Sequence, residues 1–303
     1  MKENFLTKKI KNNKKNLNKI YVALMGGIGD QLNQYIFGKY ISKKFNLRLV
    51  LDKSYYNKKP AFPFRLDKFY INNVKFKENI FKIDFKFISY LRYICKLKIF
   101  IKIISKFNIN NFIYEFWKKP NYINLKKPEN KTYFFGYWHN KKYYISDIIK
   151  SLKIKNTSKK LKKFINKIKK NDVAIHIRGG DFLNNIHAVI LNERYYKNAI
   201  NYCYKKLIKP KFYVFTNDIG HSRKILNNLN THKFIFIKMY KFKDFEEFEI
   251  LRNFQNFIIS NSTFGWTASL LSKKKSIICA PYYWYKNLKI DKKRIINKTI
   301  VFK

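Results

Sequence analysis

The second half of the chain alternates short apolar runs with stretches of helical spacing. Five runs have the length and composition of buried strands, namely Val173–Ile177, Phe212–Thr216, Phe234–Lys238, Phe257–Ser260 and Ser276–Ala280. The intervening patterns predict helices over 192–208, 219–229, 244–255 and 263–272. Regular alternation of this kind predicts a parallel, doubly wound sheet that binds its ligand beyond the carboxyl ends of the strands.

The first half opens with a similar unit. Residues 20–25 form an apolar run typical of a buried strand, and the glycine-rich segment 26–29 predicts a turn. Apolar residues at helical spacing follow, and Arg48–Asp52 predicts the next strand. This strand–turn–helix–strand order resembles half of a nucleotide-binding α/β fold.

Charge and lysine runs suggest the domain limits. Residues 1–19 are predicted to be a basic flexible arm, 20–165 an N-terminal lobe and 166–303 a C-terminal lobe, with a lysine-rich boundary around 159–163. Within the first lobe, 76–117 mixes apolar residues and lysines, which predicts basic amphipathic helices. Such helices either lie on an anionic membrane or simply cap the lobe.

The net charge of +48 comes from 66 basic and only 18 acidic residues. Codon bias explains much of the lysine, whereas attraction to a polyanion explains the missing acid. An anionic membrane surface is favoured over nucleic acid, because no nucleic-acid-binding motif is recognisable. The three cysteines offer no disulfide framework, and no apolar window could span a bilayer, so we expect a cytoplasmic protein, peripheral on the inner membrane face.

The segment His176–Asp181 follows a predicted strand and combines an arginine with two glycines. The guanidinium of Arg178 suits a phosphate, because its fork of donors stays charged. Glycines directly after it allow a ligand to approach the backbone closely. The alternative is a turn in which Arg178 forms a structural ion pair.

The segment Asn261–Trp266 also follows a strand and opens a predicted helix. The hydroxyls of Ser262 and Thr263, together with the free N–H groups of a helix start, suit an anion. N-capping by either hydroxyl is the alternative interpretation, and the two roles are compatible.

Acidic residues are scarce, and two fall near predicted strand ends. Asp218 or Glu247 could accept the paired N–H donors along one edge of a guanine, or each could be an acid favoured by the start of a helix. The chain has no Asp-x-Asp and no histidine pair at metal-ligand spacing. We therefore expect neither a metal nor a cofactor.

Seven segments, in order, resemble the α-1,2-fucosyltransferases, family 11 of the glycosyltransferases. Gly26–Tyr35 is similar to the motif G-G-L-G-N-Q-x-x-Q-Y, Gly136–Tyr143 to G-Y-x-Q-S-E-K-Y, and His176–Asp181 to H-I-R-R-G-D. The other four are His187 with Tyr195–Ile200, then Phe215–Asp218, Ile258–Trp266 and Ala280–Tyr285.

The resemblance implies a GT-B-like α/β fold, with two Rossmann-type lobes and a cleft between them. It implies an inverting, metal-independent transfer of L-fucose from GDP-L-fucose to the 2-hydroxyl of a galactoside in a surface glycan such as an O-antigen. Arg178 would contact the diphosphate as a catalytic residue. His176, Ser262, Thr263 and Phe264 would line the donor site, and the loop with Gly26, Gly27 and Gly29 would face the reaction centre. Asp181, Asp218 and Glu247 are further candidates for the donor site, and Gln31 for the loop.

Two positions depart from these motifs. Gly179 replaces the second arginine, and Asp30 stands where the family usually has asparagine. The Asp30 carboxylate is a candidate general base for the acceptor hydroxyl, or else a loop acid that caps the following helix. Two alternatives to the fucosyltransferase function remain: a related enzyme with another donor or acceptor, and an inactive basic protein that binds polyanions.

Overall fold

A computed structural model describes residues 18–302, except 59, 73, 79, 81–110, 116–125, 187, 230–232, 287, 291–293 and 296–298. Residues 1–17 of the predicted arm, most of the predicted insert and His187 therefore lie outside the described residues. The chain divides into two compact units. The first comprises the described residues up to His139 together with Tyr143–Leu152, and the second comprises Asn140–Lys142 with the residues from Lys153 onward.

The first unit is built on a five-stranded parallel sheet. Its strands are β1 (Lys19–Ala23), β2 (Arg48–Asp52), β3 (Lys75–Lys77), β4 (Asn111–Tyr114) and β5 (Thr132–Phe135). They lie in the order β3-β2-β1-β5-β4, and every described pairing is parallel. The central strands are buried on both faces, which is why they read as continuous apolar runs.

Two α-helices lie among the described residues of this unit, α1 (Ile28–Phe45) and the short α2 (Ser146–Ser151). The helix α1 begins inside the segment predicted as a turn, so only Gly26 and Gly27 form the turn itself. Gly26 has φ +75°, a left-handed conformation that glycine adopts without strain. β1 begins at Lys19, the last residue of the predicted arm.

The prediction of helices across 76–117 is wrong at both described ends. β3 extends to Lys77, and residues 111–114 form β4, which pairs in parallel with β5. Aromatic contacts explain why residues 111–114 form a strand. Phe112 stacks on Tyr133 with ring centroids 5.7 Å apart, and Tyr114 stacks on Phe135 with centroids 5.8 Å apart. Cross-strand aromatic pairs stabilise a strand even where lysines nearby suggest an amphipathic helix.

The second unit contains a six-stranded sheet and a small hairpin. The sheet strands are β6 (Val173–Ile177), β7 (Phe212–Thr216), β8 (Phe234–Phe236), β9 (Asn256–Ile258), β10 (Ile277–Pro281) and β13 (Thr299–Phe302). Their order is β13-β10-β9-β6-β7-β8, with parallel pairing. The antiparallel hairpin joins β11 (Tyr283–Tyr285) to β12 (Leu288–Lys289).

Five α-helices lie among the described residues of this unit; the first precedes β6, and the other four connect successive strands. They are α3 (Lys159–Ile165), α4 (Glu193–Lys206), α5 (Ile219–Leu226), α6 (Asp244–Leu251) and α7 (Thr263–Leu271). Short 3₁₀ helices in the two units lie at Ser54–Lys58, Leu66–Lys68, Lys141–Tyr143, Gly180–Phe182, Asn227–Leu229 and Ile237–Tyr240. Cys203 and Cys279 are free thiols buried in the core of the second unit, and Cys95 lies outside the described residues.

Every strand and helix predicted for the second half is present, but several end earlier than predicted: the strand predicted to reach Ser260 ends at Ile258, and the helix predicted over 244–255 ends at Leu251. The predicted strand Phe234–Lys238 ends at Phe236, because the chain turns into a 3₁₀ helix at Ile237. The two parallel sheets with their helices confirm the predicted fold class, which is a GT-B-like fold with two Rossmann-type units. None of the helices among the described residues is long and apolar enough to cross a bilayer.

Phe37 anchors α1 to its sheet. Its ring stacks on Trp138 with centroids 4.0 Å apart and meets Phe134 and Tyr143 edge-on at 5.2 and 5.0 Å. Because Phe37 is fully buried, Phe37→Ala is expected to lower the free energy of unfolding by about 3–5 kcal/mol. Urea denaturation followed by fluorescence measures the loss, and the exposed Lys44→Ala on the same helix is the control. A loss no larger than that of the control would contradict this packing role.

Candidate active site

His176 lies at the carboxyl end of β6 and is packed against the start of α7. Its Nδ1 is 2.7 Å from the hydroxyl of Ser260, and its ring stacks on Phe264 at 5.4 Å. A Cβ at Gly265 would lie only 3.1 Å from the His176 ring. Glycine at that position therefore allows α7 to begin directly against the end of β6.

The His176 imidazole is neutral. Burial, with a smaller contribution from the Arg178 charge, lowers its pKa to about 3. A neutral ring adds no charge to this edge of the sheet, so the guanidinium of Arg178 is the cation of the segment His176–Asp181. His176 therefore shapes the site through its hydrogen bond and its flat face.

Arg178 is held by its own loop. Its Nη2 lies 2.7 and 2.8 Å from the two carboxylate oxygens of Asp181, and its guanidinium lies 5.3 Å from the ring centre of Phe182. The ion pair considered as an alternative from the sequence is thus present. It fixes the orientation of a side chain that is still 15% exposed, and the Asp181 side chain is 54% exposed.

The glycines after Arg178 are fastened to the end of β7. The Asn217 side chain accepts from Gly179 N at 3.0 Å and donates to Gly179 O at 3.1 Å. The Asp218 carboxylate accepts from Gly180 N at 3.2 Å and caps α5 by accepting from His221 N at 2.9 Å. The hydrogen bond from His221 lowers the pKa of Asp218, so its carboxylate stays charged.

The helix start predicted to bind an anion is present and is not capped by its own side chain. Ser262 is the N-cap residue of α7. Its hydroxyl accepts no hydrogen bond from the backbone N–H groups of the first helical turn, whose residues the structure describes. The Asn261 side chain instead holds the chain before the helix, because it donates to Val189 O at 2.9 Å and Trp284 O at 3.1 Å. The N-capping alternative for Ser262 is therefore not observed.

Glu247 lies in α6, one residue before Phe248, whose ring meets Phe264 edge-on at 5.3 Å. Its carboxyl is 4.0 Å from Lys238 Nζ. Burial raises the pKa of Glu247 to about 7, and the charge of Lys238 only partly opposes this effect. Packing of Phe248 on Phe264 brings α6 beside the start of α7.

In the first unit, the glycine turn is fixed by side chains. Gln31 donates to Gly26 O at 3.1 Å and to Pro63 O at 2.9 Å, and Tyr56 donates its hydroxyl to Gly26 O at 2.8 Å. Asp30 lies in the first turn of α1, where a negative charge is favoured by the helix dipole. Its carboxylate lies 3.1 Å from His139 Nε2.

A model of glycosyl transferase family 11 matches residues 19–299. This chain belongs to that family. The match runs from the start of β1 to the first residue of β13 and includes the residues described above, so the chain is a family 11 glycosyltransferase.

Two curated proteins and one solved structure illustrate the range of similarity. The chain is 27% identical over 293 residues to an α-1,2-colitosyltransferase of Escherichia coli, which covers 90% of this chain and 94% of that protein. It is 25% identical over 300 residues to the O-antigen biosynthesis glycosyltransferase WbnK of Escherichia coli, with 88% and 95% covered. A solved structure of NodZ α-1,6-fucosyltransferase soaked with GDP-fucose matches with a TM-score of 0.48 and 13% identity, over 84% of this chain and 92% of that one.

Several residues that shape this site were not predicted from the sequence. Asn217 and Asn261 each lie next to a predicted residue, Ser260 lies two residues before one, and their position at strand ends is the signal that could have identified them. Gly265 and His139 gave no such signal, since each matters through a contact with a residue far along the chain.

The neutral state of His176 has a consequence for stability. The folded protein resists protonating His176 until about pH 3, whereas an unfolded histidine binds a proton below about pH 6.5. Stability is therefore expected to fall as pH drops from about 6.5 towards 3, because the unfolded chain gains a proton that the folded chain does not. His176→Gln, compared with wild type in urea titrations at pH 7, 6, 5 and 4, should show a shallower fall. Parallel curves would contradict the neutral assignment.

Proposed function

We propose that this glycosyltransferase transfers L-fucose from GDP-L-fucose, with inversion, to the 2-hydroxyl of a galactoside in a surface glycan. The observation that carries the proposal is the carboxyl edge of the second sheet. There, an oriented arginine follows β6, and an N-terminus without a side-chain cap opens α7. These are donors for the diphosphate of a sugar nucleotide, in a family of sugar transferases.

The reaction mainly requires stabilisation of the negative charge that develops on the diphosphate leaving group. As the acceptor oxygen attacks the anomeric carbon, the bond from that carbon to the phosphate oxygen breaks and negative charge builds on the diphosphate. Arg178 and the first N–H groups of α7 would stabilise that charge, with Ser262 and Thr263 beside them. His176 and Phe264 would form the wall of the donor site, since their rings are already stacked.

Glu247 is the better candidate for the guanine edge. Both carboxylate oxygens of Asp218 already accept backbone N–H groups, from Gly180 and His221. The Glu247 carboxyl has only the distant Lys238 as an ion-pair partner among the described residues. Two N–H donors of guanine would favour the charged form of Glu247.

The colitosyltransferase relative supports a second candidate donor. Colitose is L-fucose without its 3-hydroxyl, so a single contact to that hydroxyl separates the two donors. The anionic membrane face and the inner-membrane location belong to the same proposal, supported by the charge of +48.

A donor panel tests the proposal directly. The purified full chain is given GDP-L-fucose, GDP-colitose, GDP-mannose and UDP-galactose with a lactose-type acceptor, and nucleoside diphosphate release and glycan mass are measured. Transfer from GDP-L-fucose alone, equal with and without EDTA, is the expected result. Preferential transfer from GDP-colitose would select the second candidate donor. Loss of activity in EDTA would contradict metal independence. Absence of GDP binding in calorimetry would support the alternative of an inactive protein that binds polyanions.

Arg178 is expected to be needed for the chemical step. Arg178→Ala should lower kcat by about 100- to 1,000-fold, because a donor to the leaving group is lost. Arg178→Lys should rescue little, because the planar fork is replaced by a single ammonium. Initial rates at saturating donor measure both variants.

Two further variants separate catalysis from structure. Arg223→Ala removes an arginine that lies over the Phe236 ring at 5.9 Å, and should leave turnover unchanged. Asp181→Asn removes the partner of Arg178, and should cost much less than Arg178→Ala. If Asp181→Asn were as damaging as Arg178→Ala, Arg178 would be important as half of a structural ion pair and not as a phosphate contact.

A further inference from the structure

An acid and a histidine separated by 109 residues in sequence meet in the first unit. Asp30 Oδ1 and His139 Nε2 lie 3.1 Å apart, and the two side chains are 17% and 5% exposed. An ionised carboxylate only accepts hydrogen bonds, so Nε2 of His139 carries the proton and donates it. The more exposed member of the pair is therefore the carboxylate, and the buried member is its donor.

The contact is held by one face of α1. Asp30, Gln34 and Phe37 lie at positions i, i+4 and i+7 of the helix, which places them on the same side. Gln34 donates to Gly136 O at 3.2 Å and accepts from Met25 N at 2.9 Å, and Phe37 stacks on Trp138. Three successive contacts thus fix residues 136–139 against the helix that carries Asp30.

The turn before His139 is itself unusual. Trp138 has φ +57°, a left-handed conformation that is uncommon for a bulky residue. It is held there by burial, by the stack on Phe37 and by a hydrogen bond from its backbone N–H to the Glu115 carboxylate. A Cβ at Gly136 would lie 2.6 Å from the Cβ of Glu115, so glycine is needed for this close approach. Contacts with Phe37 and Glu115 therefore fix the turn that places the His139 imidazole beside Asp30.

The second carboxylate oxygen faces the glycine turn. A Cβ at Gly26 would lie 2.7 Å from Asp30 Oδ2, so the missing side chain leaves room beside that oxygen. Three tyrosines lie around the pair. Burial and, secondly, the charge of Asp30 raise the pKa of Tyr55 and Tyr56, and Tyr137 packs on the His139 ring at 5.5 Å. The hydroxyls of Tyr55 and Tyr56 therefore stay protonated, and Asp30 supplies a carboxylate beside this turn.

We propose that Asp30 is the general base of the transfer and that His139 is its positioning residue. The acceptor O–H bond breaks, its proton goes to Asp30 Oδ2, and the acceptor oxygen forms the bond to the anomeric carbon as the diphosphate leaves with the electron pair of the broken bond. His139 keeps its own proton throughout and fixes the carboxylate through Oδ1. This inference rests on the proposed function, since it assigns the base of that same reaction.

Both positions differ from the motifs that the chain resembles. Asp30 occupies the asparagine position of G-G-L-G-N-Q, and His139 occupies the glutamine position of G-Y-x-Q-S-E-K-Y. In this chain the two positions hold an acid and a histidine that contact each other.

A double-mutant cycle tests the pairing. Asp30→Asn, His139→Leu, His139→Gln and Asp30→Asn/His139→Leu are assayed with whichever donor the wild type uses, and GDP binding is measured by calorimetry. Asp30→Asn should lower kcat by about 100-fold or more, and His139→Leu by about 10- to 100-fold, with the KM for the donor and GDP affinity unchanged. The double variant should be no slower than Asp30→Asn, because His139 acts only through the carboxylate.

Rescue by glutamine separates positioning from packing. His139→Gln keeps an N–H that can donate to Asp30 and should recover most of the activity lost in His139→Leu. The control is Asp147→Asn, which removes an exposed carboxylate paired with Lys43 in the same unit and should leave kcat unchanged. Wild-type turnover in His139→Leu, multiplicative losses in the double variant, or a glutamine variant as slow as leucine would overturn the inference. Failure of the proposed function would be visible separately, as wild-type protein that neither binds GDP nor releases it from GDP-L-fucose.

Discussion

Three buried amide side chains of α1 fix the conformation of the loops around this helix in the first unit. Gln31, Asn33 and Gln34 are at most 1% exposed, on a helix whose buried face would ordinarily be apolar. Each pairs with backbone: Gln31 with Gly26 and Pro63, Asn33 with Gly29, and Gln34 with Met25 and Gly136. A buried amide left unpaired would cost about 1–3 kcal/mol, so these contacts strongly disfavour other loop conformations. The glycine turn, the site of Asp30 and the segment bearing His139 all depend on this set of hydrogen bonds.

The second unit builds its site by a different means. Its parallel strands bring the ends of β6 and β7 and the start of α7 to the same edge, and tight contacts join them. His176 bridges β6 and α7 through Ser260 and Phe264, while Asn217 and Asp218 fasten the glycine pair to β7. Polar groups that would otherwise be mobile are thus fixed before any ligand binds, which is the condition for electrostatic stabilisation without reorganisation.

Much of this architecture was predictable from the sequence, and the reason is burial. Strands such as Val173–Ile177 and Phe212–Thr216 are buried along their whole length, so they appear as uninterrupted apolar runs between helical patterns. Arg178, Ser262 and Thr263 could be proposed from the sequence because a parallel sheet places ligand-binding groups directly after its strands. Pattern could not reveal β4, whose aromatic residues find partners on β5, or the contact of Asp30 with His139, which depends on how α1 packs. Such features arise from tertiary contacts that no local spacing encodes.

The backbone at Gly179 limits which side chains this loop can hold. A Cβ there would lie 2.8 Å from the Cβ of Asp218 and 3.0 Å from the His221 ring. Arginine, which the motif that this segment resembles has at that position, therefore fits only if the residues that cap α5 move. A second positive charge beside Arg178 accordingly requires that residues 179, 218 and 221 be redesigned together, so that these three positions form one unit for engineering the site.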